Sequence, residues 1–178
     1  MAHIPSYQLP VSEFLILSTM TIASSDRSGE PHAAAVYFAA GEDLNFYFFS
    51  DPLSQHGQDF VQRPQAAVAI YPDGQDWQDI RGLQLRGDVR LVYPSPEWEI
   101  AWVLYSDKFP FVAELKELVA RNQLYVFIPT WVRLVDNRRG FGFKQEWHKV
   151  LESDNPAHPV WQRLGNGDSE IGAVLDGA

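Results

Sequence analysis

Cysteine is absent from all 178 residues. Disulfides, thiolate metal sites and cysteine nucleophiles are therefore excluded, and the expected setting is the cytoplasm. Basic residues are scarce as well: 14 Lys and Arg stand against 23 Asp and Glu, a net charge of −9. Grip on a phosphate backbone needs a basic surface, so neither nucleic acid nor an anionic membrane is expected as a partner. No apolar run approaches the roughly 20 residues of a membrane helix. The opening MAHIPSYQLPVSEF has no basic region followed by an apolar stretch and a cleavage site, so no secretory signal is expected. The five histidines, at positions 3, 32, 56, 148 and 158, include no pair at i, i+4, and HExxH, GxSxG and P-loop patterns are missing. Metal hydrolysis and nucleotide triphosphate chemistry lose their usual signatures, and no metal site is expected.

What is plentiful is apolar and aromatic bulk, 46% and 13% of the chain. That composition belongs to a globular protein with a large core, at a length suited to one domain. Residues 9 to 18 read as a first helix with Ser12 as its cap. TMTIASS alternates like a strand, SDRSGEP is turn chemistry, HAAAVYFAA is a second strand rich in small residues, and LNFYFFS is a third. These three predict an antiparallel meander. DPLSQHGQDFVQRP predicts a short helix capped by Ser50 or Asp51, with Pro52 in its first turn, and AAVAIY a fourth strand. IRGLQLRGDVRLVY is a long strand in which Ile80, Leu83, Leu85, Val89 and Leu91 alternate with polar positions, and Gly82 is the expected bulge. PSPEWEIAWVLYSDKFP and FVAELKELVAR predict two helices. LYVFIPTWVRLVDN predicts a strand interrupted at Pro129, and GFGFKQEW one more short strand. The expected domain covers 1–150 and leaves 151–178 as a tail that docks through Trp161. The fold class is mainly β, a six- to seven-stranded antiparallel split β-barrel with short flanking helices.

The abrupt change from greasy strand to polar helix start, at LNFYFFSDPLSQHG, is the first candidate site. A helix N-terminus presents unpaired N–H groups and the positive end of its dipole, and hydroxyls add donors. Ser50, Ser54, Gln55 and His56 therefore suit an anion; equally, they suit an ordinary capped helix with a histidine at its surface. Arg81 falls on the face opposite Gln84 and Arg86 if the strand is regular. In Asp136-Asn137-Arg138-Arg139-Gly140-Phe141-Gly142-Phe143-Lys144, Asn and Gly favour a tight turn.

Taken in order, PHAAAVYF, the aromatic strand ending in Ser50, the S-x-H-G at 54–57 and RPQAAVAIY resemble the split-barrel flavoproteins related to pyridoxamine 5′-phosphate oxidase. IRGLQLRGDVRLV, KFPFV and LVDNRRGFGFKQEW are similar to a small, mostly uncharacterised branch, with its pattern RG-x-Q-x-x-G followed by D-N-x-x-GFG. The resemblance covers about residues 10 to 147. It implies that the helix start holds the phosphate of FMN, and that the strand at Ala33, Ala34, Ala35, Val36 and Tyr37 lies against the flavin ring. It also implies a homodimer with two sites at its interface, where Arg81 and Gln84 meet the partner's flavin. The chain departs from the family in two places. His56 stands where the family's oxidases carry a basic residue, usually Lys, and Ala occupies positions 34 and 35 where they carry Arg. Lys144 is the expected replacement cation, and Phe141 or Phe143 a wall of the pocket.

The function so implied is an FMN-binding oxidoreductase of unknown substrate and unknown catalytic residue. Hydride transfer to a flavin needs no side chain as acid or base. The competing expectation is a non-enzymatic binding protein for flavin, deazaflavin or haem, and a third is a barrel kept only for its dimer.

Overall fold

The fold is that of a computed structural model, which describes residues 3–4, 9–41, 43–115, 119, 121–152 and 155–164. Its strands are β1 (His3–Ile4), β2 (Thr19–Ser25), β3 (Pro31–Tyr37), β4 (Ala39–Ala40), β5 (Phe46–Ser50), β6 (Gln65–Ile70), β7 (Arg81–Leu91), β8 (Gln123–Asp136), β9 (Lys144–Glu152) and β10 (Asn155–Arg163). The helices are α1 (Ser12–Leu15), α2 (Gln55–Gln62) and α3 (Pro96–Lys108). They build one ten-stranded antiparallel sheet in the order β1-β10-β9-β8-β7-β6-β2-β3, with β5 pairing β8 and β4 pairing β5 off that path.

The sheet curls into a split β-barrel because β8 is long enough to serve two neighbours along one edge. Its first residues pair with β5, Ser50 opposite Gln123, and its last pair with β9, Lys144 opposite Val135. Among the described residues β3 pairs with β2 and β5 with β4 and β8, so no ladder joins β3 to β5. That gap is the split. The expected meander is corrected here: after the β2–β3 hairpin the chain leaves the ladder at Phe38, makes the short β4–β5 hairpin, and returns to β2 only through β6. Phe14, Met20, Ile22, Phe38, Phe46, Phe48, Leu83, Leu85, Phe127, Trp147 and Trp161 fill the barrel. On the outside, α3 packs Ala101 against Tyr47, Val92, Leu124 and Val126.

Other local expectations also shift. α1 is shorter than the 9–18 reading, its N-cap is Val11, and no side chain caps it. β7 is regular at Gly82, opposite Val135; the register slips instead between Arg86 and Gly87, facing Pro129. Proline gives no N–H to the ladder, and the slip lets β8 run through Pro129 unbroken. The close approach explains the glycine, since a Cβ at Gly87 would collide with the Ile128 carbonyl oxygen. After α3 the chain makes a 3₁₀ turn, Pro110–Ala113; residues 116–118 and 120 of the expected second helix lie outside the described residues. The segment read as tail contributes β10, which pairs with β9 and brings Trp161 to 0% exposure, as its expected docking requires. Residues 165–178 lie outside the described residues.

Lys108 ties α3 to the barrel. Its ammonium donates to the Leu15 and Leu17 carbonyls at 2.8 and 2.7 Å and lies 3.9 Å from the Phe38 ring centroid. Burial pulls its pKa down to about 8 from 10.5. The folded protein then binds fewer protons than the unfolded chain between those values, so this group's contribution to stability rises with pH across that window and falls as pH drops through it. A 15N titration of the Lys108 Nζ is expected to show a midpoint near 8; Lys108→Met is expected to flatten the stability profile in the same interval. Gly87→Ala is expected to destabilise the fold by about 3 kcal/mol, the upper range for overpacking, read as a lower urea midpoint.

Candidate functional site

β5 carries Phe48 into the barrel and ends at Ser50, in line with the split. The chain then turns through Asp51, whose Oδ1 accepts from the Leu53 N–H at 2.8 Å, and enters α2. The cap of α2 is Ser54, not Ser50 or Asp51. Its Oγ accepts from the Gly57 N–H at 3.2 Å and donates to the Asp51 carbonyl at 2.6 Å. Pro52 sits in the turn before the helix. Gly57 is forced by this wrap, because a Cβ there would lie 2.9 Å from the Asp51 carbonyl oxygen.

His56 is not a surface histidine: it is 7% exposed. Its Nε2 lies 2.6 Å from Ser50 Oγ and 3.2 Å from Ser54 Oγ, so two hydroxyls and one imidazole nitrogen share a point at the start of α2. The ring stacks on His32 of β3, centroids 6.2 Å apart and planes within 12°, and packs on Phe60 behind. Burial lowers the His56 pKa from its ordinary value, His32 lowers it further, and Asp59 opposes both. Gln55 turns away from the cradle and donates to Asp59 Oδ1 at 2.8 Å, while Asp59 Oδ2 accepts from Ser24 of β2 at 2.6 Å. With Asp59 1% exposed, α2 is pinned to both lips of the split, by Asp59 and His32 on the β2–β3 side and by Ser50 on the β5 side.

β3 runs on from His32 with Ala33, Ala35 and Tyr37 outward and Ala34 and Val36 inward. The ladders align the outward residues into rows across the sheet. Ala33, Ala23, Ala67, Arg86 and Trp131 form one row, and Ala35, Thr21, Ala69, Gln84 and Arg133 the next. The small side chains leave a shallow groove of about 340 Å³ between Ala23, Ala67, Ala69, Gln84, Arg86 and Trp131. Two guanidiniums lie over Trp131, Arg86 at 4.2 Å and Arg133 at 4.9 Å from its ring centroid. Arg133 also donates to Gln84 Oε1 at 3.2 Å and to Glu146 at 2.7 Å. A flat ring can lie on such a floor, with cations and an amide at one edge.

Two sequence candidates fall elsewhere within the chain. Arg81 has the inward parity that the alternation predicts, opposite to Gln84 and Arg86, and its Nε donates to Glu13 at 3.1 Å. There Arg138 joins Glu13 and Asp136. Lys144 pairs with Val135, twelve residues along β8 from the Gln123 that faces Ser50, roughly 40 Å of strand. Within one chain Lys144 is therefore not the cation of the cradle. Asn137 locks the motif loop by donating to the Trp77 carbonyl and accepting from the Gly142 N–H, leaving Phe141 exposed beside Trp77. His32, Ser24 and Asp59 escaped the sequence reading; the one signal was the β2–β3 hairpin, whose register sets Ser24 opposite His32. A separate cavity of about 410 Å³ lies between α3 and β5, lined by Trp98, Trp102, Phe49 and Tyr93 among others. Among the described residues its lining holds no charged side chain, so it offers a phosphate no cation.

A sequence model of the family described as pyridoxamine 5′-phosphate oxidase matches residues 13–136. The chain is 31% identical over 117 residues to UPF0306 protein YhbP of Escherichia coli O157:H7, spanning 65% of this chain and 74% of that one. It is 34% identical over 76 residues, 42% of its length, to the pyridoxine/pyridoxamine 5′-phosphate oxidase of Polynucleobacter asymbioticus, and spans 34% of that enzyme. Among solved structures it is similar to a pyridoxamine 5′-phosphate oxidase-related, FMN binding protein of Nostoc punctiforme, with TM-score 0.53, 15% identity and coverage of 90% and 91%. It is also similar to a heme binding protein of Mycobacterium smegmatis, with TM-score 0.63, 18% identity and coverage of 78% and 55%. At these identities the structural likeness speaks to fold. Among the described residues no helix is long and apolar enough to cross a membrane.

Ser54→Ala removes the cap of α2 and is expected to cost about 1 kcal/mol with no ligand present, read by urea unfolding. An unchanged midpoint would mean that the Gly57 N–H finds another partner.

Proposed function

We propose that this chain, which belongs to the pyridoxamine 5′-phosphate oxidase family, binds FMN and works as a flavin-dependent oxidoreductase. One observation carries the reading: in a family member, two hydroxyls and a buried imidazole converge at the start of α2, beside an alanine-rich strand. The phosphate would be held by Ser50, Ser54 and His56 with the helix N-terminus, and the ring would lie along Ala33 to Tyr37 toward Gln84. When bound, FMN would supply the hydride acceptor. The chain supplies orientation, the hydroxyls that take the phosphate's oxygens, and side chains small enough for close approach to the backbone. The proposal includes a homodimer in which a second copy covers the outward alanine rows and so excludes water from the ring. The 48% exposure of Tyr37 and the shallow groove support such a cover.

A second reading has support from the electrostatics. His56 is held toward its neutral form, and Ala34 and Ala35 provide no cation. A site this poor in positive charge suits a carrier that holds flavin or another flat ligand, haem included, without turnover.

The test is a visible spectrum of the purified protein, then titration with FMN. The expected result is a flavin spectrum or saturable FMN binding that His56→Ala and Ser54→Ala weaken about tenfold or more, the scale of losing a charge-assisted hydrogen bond. Reduction of the bound flavin by NADH or NADPH and its reoxidation distinguishes the oxidoreductase from the carrier. A protein that ignores FMN but develops a Soret band with hemin overturns the flavin reading.

A further inference from the structure

We propose that anion binding at Ser50, Ser54 and His56 is coupled to uptake of one proton by His56, so that the site holds a phosphate monoester against an imidazolium and releases it as pH rises. The inference rests on the cradle reading above and adds its regulation.

The geometry sets the coupling. His56 is 7% exposed, and its Nε2 already faces both hydroxyls, at 2.6 and 3.2 Å. The groups facing it come from the elements packed around it: His32 from β3, Ser50 from β5, Ser54 from the turn, and Asp59 and Phe60 from α2. Tyr125 of β8 packs behind Phe60. Asp59 has spent both carboxylate oxygens, on Ser24 and Gln55. In the free protein burial, and then His32, keep His56 toward its neutral form. A phosphate dianion placed among the hydroxyls reverses this balance, since an opposite charge within about 4–6 Å moves a pKa by about 1–3 units toward the charged form. Two stacked rings 6.2 Å apart disfavour a second charge, so uptake stops at one proton.

The sign follows from linkage. A group that is more basic in the bound form takes up a proton on binding, so affinity falls as pH rises between its free and bound values, about tenfold per unit for one proton. The ligand's own ionisation runs the other way: a phosphate monoester gains its second charge near pH 6, which strengthens binding as pH rises. A fall in affinity therefore belongs to the protein, and its loss in His56→Gln assigns it to His56.

The experiment measures FMN affinity by fluorescence quenching, and His56 ring 15N shifts with and without sulfate, an anion that keeps its charge throughout. Between about pH 6 and about pH 8 FMN affinity is expected to fall about tenfold or more, and sulfate to raise the His56 midpoint. His56→Lys, charged across this range, is expected to show no fall, only the rise that the phosphate's second ionisation brings; His32→Gln is expected to move the fall to higher pH. Affinity constant within about twofold in the parent, a slope that persists in His56→Gln, or a midpoint that sulfate leaves unmoved would each overturn the coupling. FMN bound with pH-independent affinity keeps the flavin reading and removes the coupling. No FMN binding, with sulfate still raising the His56 midpoint, does the reverse.

Discussion

The arrangement depends on how α2 is held across the open seam of the barrel. Asp59 is a carboxylate at 1% exposure, and a buried charge survives only if it is bonded. Its oxygens are taken by Ser24 of β2 and Gln55 of α2 itself. His56, one turn earlier on the helix, reaches Ser50 at the end of β5 and stacks on His32 of β3. Two neighbouring strands that share no ladder are thus joined through one short helix, and its N-terminus is fixed where they meet. Remove either anchor and the helix start loses its orientation, the property an anion site most needs. The seam is therefore both the weak line of the barrel and the place where Ser24, His56 and Asp59 are buried.

The paired strands β7 and β8 supply the rest of the frame. Their register slip at Gly87 and Pro129 changes the pairing without ending it, so β8 carries β5 at one end and β9 at the other. That separation puts the cradle at one end of the barrel and the Glu13–Arg81–Arg138–Asp136 network at the other. Arg81 and Lys144 belong to the second end. Within one chain both pair with the end of β8 opposite to the one that meets β5.

Charge gives the site its character. In a chain of net charge −9, few cations are offered to a phosphate, and the cradle has a histidine in place of a permanent charge. Hydroxyls and the helix dipole supply polarity but not a full positive charge. An imidazole can supply that charge conditionally. In the proposed reading, weak grip on an anion and sensitivity to protons share one cause, the burial of His56 beside His32.

Much of this molecule was legible in the residue order. Alternation at Leu83, Leu85 and Val89 placed β7 and its faces, the SDRSGEP turn placed the β2–β3 hairpin, and S-x-H-G after an aromatic strand placed the start of α2. These are properties of neighbours along the chain, with a period of two for strands and a cap for helices. The cap is Ser54 and not the expected Ser50 or Asp51, because three polar residues within five positions offer similar acceptors and only the turn's path selects one. What the tertiary structure alone decided is long-range. It put His32 against His56, gave Asp59 its partner 35 positions away in Ser24, moved the bulge from Gly82 to Gly87, and drew residues 155–163 into the sheet. Local pattern says which face of an element is apolar; which strand that face meets, and which buried charge finds which hydroxyl, is settled only when the sheet curls and closes on its core.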